Sequence, residues 1–212
     1  MKDADSRRIW DISQKLGPGL PVWPGDTSFE QARTWQMEEG SPVNVSAVTF
    51  STHSGAHADA PLHYAPQAPD IASVGLDAYL GECQVLDLRQ AGALIEVDDL
   101  PAKMSAQRIL LRTFDYFPHD QWDDDTTAIA PQTIAWLAQQ GVKLVGIDGP
   151  SIDPQGSKSM EAHKAVLRAD MRVLEGLVLD DVPDGNYELI ALPLAIVAGD
   201  ASPVRAVLRD LP

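Results

Sequence analysis

The sequence has few of the features of a secreted, membrane-spanning or disulfide-stabilised protein. Cysteine occurs once in 212 residues, as Cys83, so no disulfide can form within the chain and a reducing compartment is favoured. No run of about 18 apolar residues is present, and the first eight residues lack the apolar core of a signal peptide. We therefore expect a cytoplasmic protein that has no membrane as a partner.

Positive charge is also scarce. The chain has 16 Lys and Arg against 31 Asp and Glu, which gives a formal net charge of −15. Nucleic acids and anionic membranes bind basic surfaces, so neither is expected as a partner. A hydrophobic content of 44% is ordinary for a globular protein. The length allows a full hydrophobic core, and we expect one domain over residues 1–212.

Histidine is concentrated in one short stretch. Three of the five histidines are His53, His57 and His63, and with Asp59 they form the pattern H-x3-H-x-D-x3-H. Imidazole and carboxylate together are a ligand set that holds zinc or manganese with one position open for water. The intervening residues are small, so a metal ion can approach the backbone closely. The pattern predicts a metal site; the alternative is a polar loop without a ligand.

Two expected strands, at 29–37 and 41–52, come directly before this cluster, so we place it on a loop at a strand end. Gly55 and Pro61 argue against a helix there. Upstream, the 17–26 segment contains three prolines and three glycines and forms a stiff loop around Trp23. This tryptophan is either a core residue or the aromatic wall of a pocket, and the sequence favours neither.

Two later side chains stand out from apolar surroundings. His163 lies on the apolar face of an expected helix at 159–168, where a hydrogen-bonded core histidine is the more common interpretation. Glu175 is the only charge between residues 173 and 179, so it needs a cation or a metal unless it faces water. Asp148 ends an expected strand at 142–148, and we interpret it as a turn residue.

The remaining pattern indicates many strands and few helices. A helix is expected to begin at Pro131 and to end before Gly141, and a short helix is expected at 76–80. The 114–130 segment is expected to be a loop with a solvated acidic turn. Further strands are expected at 9–12, 83–88, 108–112, 187–193 and 204–209. The fold class predicted is strand-rich α/β.

The segment 52–63 resembles the H-x-G-T-H-x-D-x-P-x-H signature of the metal-dependent cyclase family, with Ala56 where that family usually has threonine. The segments 10–13, 21–26 and 146–153 are similar to the bacterial kynurenine formamidases of the same family. The resemblance extends over nearly the whole chain. It implies a cyclase-type layered β/β/α domain.

The same resemblance implies a set of metal ligands. His53, His57 and Asp59 would hold one metal, and Asp59 would bridge to a second metal bound by His163. Glu175 would contact both. We therefore expect two divalent metal ions per chain, with zinc preferred and manganese as the alternative.

The resemblance also implies hydrolysis of N-formyl-L-kynurenine to L-kynurenine and formate, a step of tryptophan breakdown. His63 would transfer protons and Trp23 would contact the substrate. The expected partners are a small-molecule substrate and a second copy of the chain in a homodimer. One rival function is hydrolysis of another amide or lactam such as isatin, which differs only in the pocket walls. The other is metal binding without catalysis, in which His63 would be dispensable.

Overall fold

A nine-stranded mixed sheet lies at the centre of the computed structural model, which describes residues 7–212. The strands of these residues are β1 (Ile9–Asp11), β2 (Glu30–Trp35), β3 (Val45–Thr49), β4 (His57–Asp59), β5 (Leu80–Asp87), β6 (Leu94–Ile95), β7 (Arg108–Arg112), β8 (Ala128–Ile129), β9 (Leu144–Ile147), β10 (Arg172–Glu175), β11 (Gly185–Ile190), β12 (Ala201–Pro203) and β13 (Val207–Asp210). The large sheet has the order β1-β13-β11-β5-β7-β9-β10-β4-β12, while β2 pairs with β3 and β6 with β8.

Helices are few and short among the same residues. The α-helices are α1 (Pro61–Tyr64), α2 (Pro131–Gln139) and α3 (Glu161–Arg168), and the 3-10 helices are Met37–Glu39, Leu76–Tyr79 and Val97–Asp99. The strand-rich α/β class predicted from the sequence is confirmed. No helix of residues 7–212 is long and apolar enough to cross a membrane.

Apolar side chains cover both faces of the large sheet. Along β7, Ile109 and Leu111 pack in the cluster that contains Ile134 of α2 and Val166 of α3. Leu110, which points the other way, packs in a second cluster on the opposite face. Because successive side chains of a strand alternate between faces, the helices define one side of the sheet.

The short strand β4 is the part of the sheet that matters most for the site. It is antiparallel to β10 on one side and to β12 on the other. Its middle residue, Ala58, is fully buried in the cluster on the face away from the helices. His57 and Asp59 therefore lie on the face that α3 covers.

The β2–β3 hairpin differs from the rest of the chain. No residue of either strand is buried. Trp35 pairs with Val45 and Ala32 with Ala47, so these four side chains share one face. Phe29 and Phe50 stack with 5.8 Å between ring centroids at the base of the hairpin. An isolated two-stranded hairpin is only marginally stable in water.

Most of the expected elements are present, with shifted ends, but three local predictions of secondary structure were wrong. His57–Asp59 is a strand rather than part of a loop, and a one-turn helix begins at Pro61 in spite of the glycine upstream. The expected loop at 114–130 contains β8, and the short strands β6 and β12 were not predicted. Residues 1–6, on which the signal-peptide argument partly depends, lie outside the described residues, and the single domain over 1–212 stays a prediction.

Candidate metal centre

Three of the expected ligands come together because of the register between β4 and β10. Glu175 pairs directly with His57, and Val173 pairs with Asp59. Paired residues of an antiparallel ladder share a face. His57, Asp59 and Glu175 are therefore neighbours on the helix-covered side, and all three are buried. Glu175 is buried, so the alternative that it faces water is wrong.

His163 reaches the same point from α3. It is buried, and its Nε2 lies 3.1 Å from Asp59 Oδ2 and 3.4 Å from Glu175 Oε1. Asp153 accepts hydrogen bonds from the backbone N–H groups of Ala162 and His163, and it also accepts one from His163 Nδ1 at 2.7 Å. One carboxylate thus fixes both the start of the helix and the orientation of the ring.

His57 has the geometry of a metal ligand. Its Nδ1 lies 2.9 Å from the carbonyl oxygen of Gly55, which can only accept, so Nδ1 carries the proton. In the neutral ring, Nε2 then presents a lone pair. This atom is buried without a hydrogen-bond partner, 3.5 Å from Asp59 Oδ1 and 3.4 Å from Glu175 Oε2. Acceptors that face one another in a buried space fit a cation between them.

Gly176 leaves room for the Gly55 carbonyl. Its φ is +65°, a conformation that favours glycine, and an added Cβ would lie 2.6 Å from Gly55 O. A side chain at this position would therefore push on the carbonyl that orients His57.

His53 completes the cluster of candidate ligands. Its Nδ1 lies 3.1 Å from Asp59 Oδ1 and its Nε2 lies 3.1 Å from Asp200 Oδ2. Burial alone would lower the pKa of His53, but the two carboxylates outweigh it and raise the pKa to about 9. Burial raises the pKa of Asp59, yet its histidine neighbours leave that pKa well below the usual value. Negative charge at this centre is thus balanced only by protonated imidazoles or by a bound cation.

His63 lies beside this cluster on α1. Its ring centroid is 4.3 Å from that of His53 and 5.9 Å from that of His163. Ligand atoms of Asp59, His63 and His163 lie within 4.8 Å of one another, so His63 is also close enough to reach a metal. Its side chain is 30% exposed. Burial, together with the nearby His53 and His163, keeps the pKa of His63 below its ordinary value in spite of Asp59.

A cavity of about 520 Å³ opens above these side chains. Trp23 forms one wall and packs edge to face against Trp122, with 5.3 Å between ring centroids. Trp122 Nε1 donates a hydrogen bond to Gln155 Oε1 at 3.0 Å. Phe114 and Phe117 also line the cavity. Trp23 therefore lies at a pocket wall rather than in the core. Trp122 lines the same cavity, although the sequence of 114–130 predicts only a loop with an acidic turn.

Asp148 is not a turn residue. It is buried, and its carboxylate accepts hydrogen bonds from the backbone N–H groups of Thr113 and Phe114 and from the Thr113 hydroxyl. Burial raises the pKa of Asp148 to about 6, although these hydrogen bonds oppose the shift. This side chain anchors the start of the loop that carries Phe114 and Phe117.

The fold and the clustered ligands agree with the family that the sequence matches. Residues 10–154 match the Cyclase family, and the chain belongs to it. A solved structure described as a potential metal-dependent hydrolase with cyclase activity is 28% identical, with a TM-score of 0.83, and the match covers 98% of this chain and 100% of that one. The cyclase-type fold expected from the sequence is confirmed, and the centre described above is a candidate site for a divalent metal ion.

Another relative is much more similar to this chain in sequence. The kynurenine formamidase of Erythrobacter litoralis (strain HTCC2594) is 64% identical over 206 residues, which cover 97% of this chain and 95% of that protein. Isatin hydrolase A from Labrenzia aggregata, by contrast, is 22% identical with a TM-score of 0.78, over 97% of this chain and 94% of that one. At that identity the likeness concerns the fold alone.

Proposed function

We propose that this protein is a metal-dependent amide hydrolase that converts N-formyl-L-kynurenine and water to L-kynurenine and formate. The observation that carries the proposal is the 64% identity to a kynurenine formamidase over nearly the whole of both chains. The aromatic cavity above a group of buried ligands is consistent with an aryl substrate. Hydrolysis of isatin, the nearer rival, is supported only by a shared fold.

For the metal centre we propose the ligand set that the family resemblance implies. His53, His57 and Asp59 would hold one metal, Asp59 and His163 would hold the second, and Glu175 would contact both. The unpartnered Nε2 of His57 and Oδ1 of Asp59 fit this assignment. We propose zinc, with manganese as the alternative, because three of the five side chains are imidazoles.

The bound metals would lower the pKa of a coordinated water toward about 7 and polarise the formyl oxygen. His63 would then act in two steps. As a neutral imidazole it accepts a proton from the attacking water, and it delivers that proton to the aromatic amine as the C–N bond breaks. Its lowered pKa suits the first step, since a ring that is already protonated accepts nothing.

Trp23 would hold the aromatic ring of the substrate. It lines the cavity, and the edge contact with Trp122 fixes the orientation of its ring. Pro21 and Pro24 restrict the loop that carries it. A flat wall held in this way binds an aryl amide at little cost in side-chain entropy.

We propose a homodimer in the cytoplasm, with the β2–β3 hairpin as the contact between copies. Its two strands carry one Glu and one Arg, so they are neutral in a chain of net charge −15. Trp35 and Val45 are exposed on one face. Trp35→Arg should convert a dimer to a monomer in light scattering coupled to gel filtration. A dimer that survives this change would move the contact elsewhere.

The function is tested by formate release from N-formylkynurenine. Purified protein should release formate, a chelator should abolish the activity, and added zinc should restore it more fully than manganese. Isatin is assayed in parallel at the same concentrations. A higher kcat/KM for isatin would replace the proposed substrate, and full activity after complete removal of metal would end the metal-dependent mechanism.

A further inference from the structure

Each candidate histidine ligand has a hydrogen-bond acceptor on the side of its ring that faces away from the centre. His57 has the Gly55 carbonyl and His163 has Asp153. For His53 the outer partner is Asp200, whose Oδ2 lies 3.1 Å from Nε2. Asp200 has no part in the reaction described above, and no sequence pattern distinguishes it from other aspartates.

Asp200 is itself fixed by both its side chain and its backbone. The hydroxyl of Thr52 donates a hydrogen bond to Asp200 Oδ1 at 2.9 Å, which leaves Oδ2 for His53. The backbone N–H of Ala60 donates to the carbonyl oxygen of Asp200 at 2.9 Å. The next residue, Ala201, pairs with Asp59 in the β12–β4 ladder. Pairing with the strand that carries two of the ligands therefore determines where Asp200 lies.

A metal ligand is the neutral imidazole, and the position of its single proton decides whether Nδ1 of His53 can bind a metal. Nδ1 faces Asp59 Oδ1 at 3.1 Å, and a carboxylate at that distance attracts the proton to Nδ1. A proton there would block the lone pair. The carboxylate behind Nε2 attracts the proton to the other side of the ring and leaves Nδ1 free to coordinate.

We propose that Asp200 is a positioning residue that keeps the proton of His53 on Nε2 and so presents Nδ1 to the metal. The inference rests on the proposed metal centre. The same Oδ2 is 3.8 Å from Nδ1 of His63, which is too long for a hydrogen bond, so His53 is the imidazole that it holds. The arrangement matches Asp153 behind His163 at the other end of the cluster.

Zinc affinity tests this role without reference to activity. Competition with a chelator of known affinity should show that Asp200→Ala binds one of its metals about 10–100-fold less tightly than wild type. Asp200→Asn should stay within about threefold, since its amide oxygen still accepts from Nε2–H. Asp70→Asn is the matched control. Asp70 accepts a hydrogen bond from the backbone N–H of Ala198, which lies two residues before Asp200. Asp70→Asn therefore removes a negative charge near this segment and leaves the contact between Asp200 and His53 unchanged.

Two results would overturn the proposal. Equal losses in Asp200→Ala and Asp200→Asn would mean that charge, rather than the hydrogen bond, is responsible. Unchanged affinity in Asp200→Ala would mean that the contact has no effect on binding. Thermal unfolding of all variants without metal separates these outcomes from a general loss of fold.

A measurement on the metal-free protein distinguishes this inference from the metal centre itself. The Nε2–H proton of His53 should give a downfield, slowly exchanging NMR signal in wild type and Asp200→Asn but not in Asp200→Ala. If wild type binds no zinc while this signal is present, the proposed centre fails and the contact stands. If wild type lacks the signal, the role of Asp200 fails whatever the zinc titration gives.

Discussion

The floor and the mouth of the cavity are built in different ways. At the floor, each candidate histidine ligand lies on a strand or helix or close to one, and a hydrogen bond on its outer side fixes its ring. At the mouth, Trp23 and Trp122 come from loops and touch only through an edge-to-face contact between their rings. A metal requires donors placed to within a few tenths of an ångström, whereas an aromatic wall needs only a flat surface near the substrate.

The largest effect is expected from breaking the floor. His57→Ala removes a buried ligand whose Nε2 faces both Asp59 and Glu175. Metal content and formate release should fall together, with at least one metal per chain lost on gentle purification. Metal is measured by elemental analysis and activity by formate assay. Full metal content with normal activity would remove His57 from the ligand set.

A smaller and more selective effect is expected at His63, between the two regions. His63→Ala should keep its metals and fold while kcat falls by about 10²–10⁴, the usual contribution of a positioned proton donor. The loss should shrink for substrates whose leaving amine is less basic, because those amines need less help from an acid. If His63→Ala loses metal as readily as His57→Ala does, His63 is a metal ligand. If kcat is unchanged in His63→Ala, the proton comes from solvent.

At the mouth, the change should appear in KM. Trp23→Ala should raise KM more than tenfold, because a stacked aromatic pair contributes about 0.5–1.5 kcal/mol beyond the burial of its area. Trp23→Phe keeps an aromatic face and should change KM by only a few-fold. An unchanged KM combined with a lower melting temperature in Trp23→Ala would instead make this side chain a packing residue.

The smallest effect concerns the anchor of the aromatic loop. The pKa of Asp148 is about 6 in the folded chain against 3.8 ordinarily, so the folded chain binds more protons between these values. The free energy of unfolding should therefore fall as pH rises through this window, by about 1–3 kcal/mol. Asp148→Asn removes this pH dependence. The free energy of unfolding of the variant should therefore rise relative to that of wild type as the pH increases. Urea unfolding of both metal-free proteins on either side of the window measures the difference, and a difference independent of pH would contradict it.

The sequence predicted much of the floor of the cavity because most of its candidate residues lie close together in the chain. His53, His57, Asp59 and His63 lie within eleven residues, so their pattern is visible without a fold. Glu175 was suspicious as a lone charge among apolar residues. Its partners were not visible, since they follow from a ladder between β4 and β10 that joins residues more than a hundred positions apart.

The outer partners could not be recognised from the sequence. Asp153 and Asp200 look like any aspartate in a polar loop, and each acquires its role from a contact with a distant segment. Asp148 was interpreted wrongly for the same reason. Its carboxylate accepts hydrogen bonds from the backbone of Thr113 and Phe114, at the start of another loop. A pattern of residue types indicates which face of a strand a side chain lies on. It does not indicate the strand register, which determines the residues that the side chain contacts.

Within residues 7–212, both margins of the large sheet offer few backbone groups with which a further strand could pair. The outermost strands, β1 and β12, are three residues long, and β12 ends in Pro203, which has no N–H to offer. A growing fibril needs a long row of free donors and acceptors to copy itself, and neither margin supplies one. The strand beside the candidate ligands is thus a poor template for amyloid-like growth.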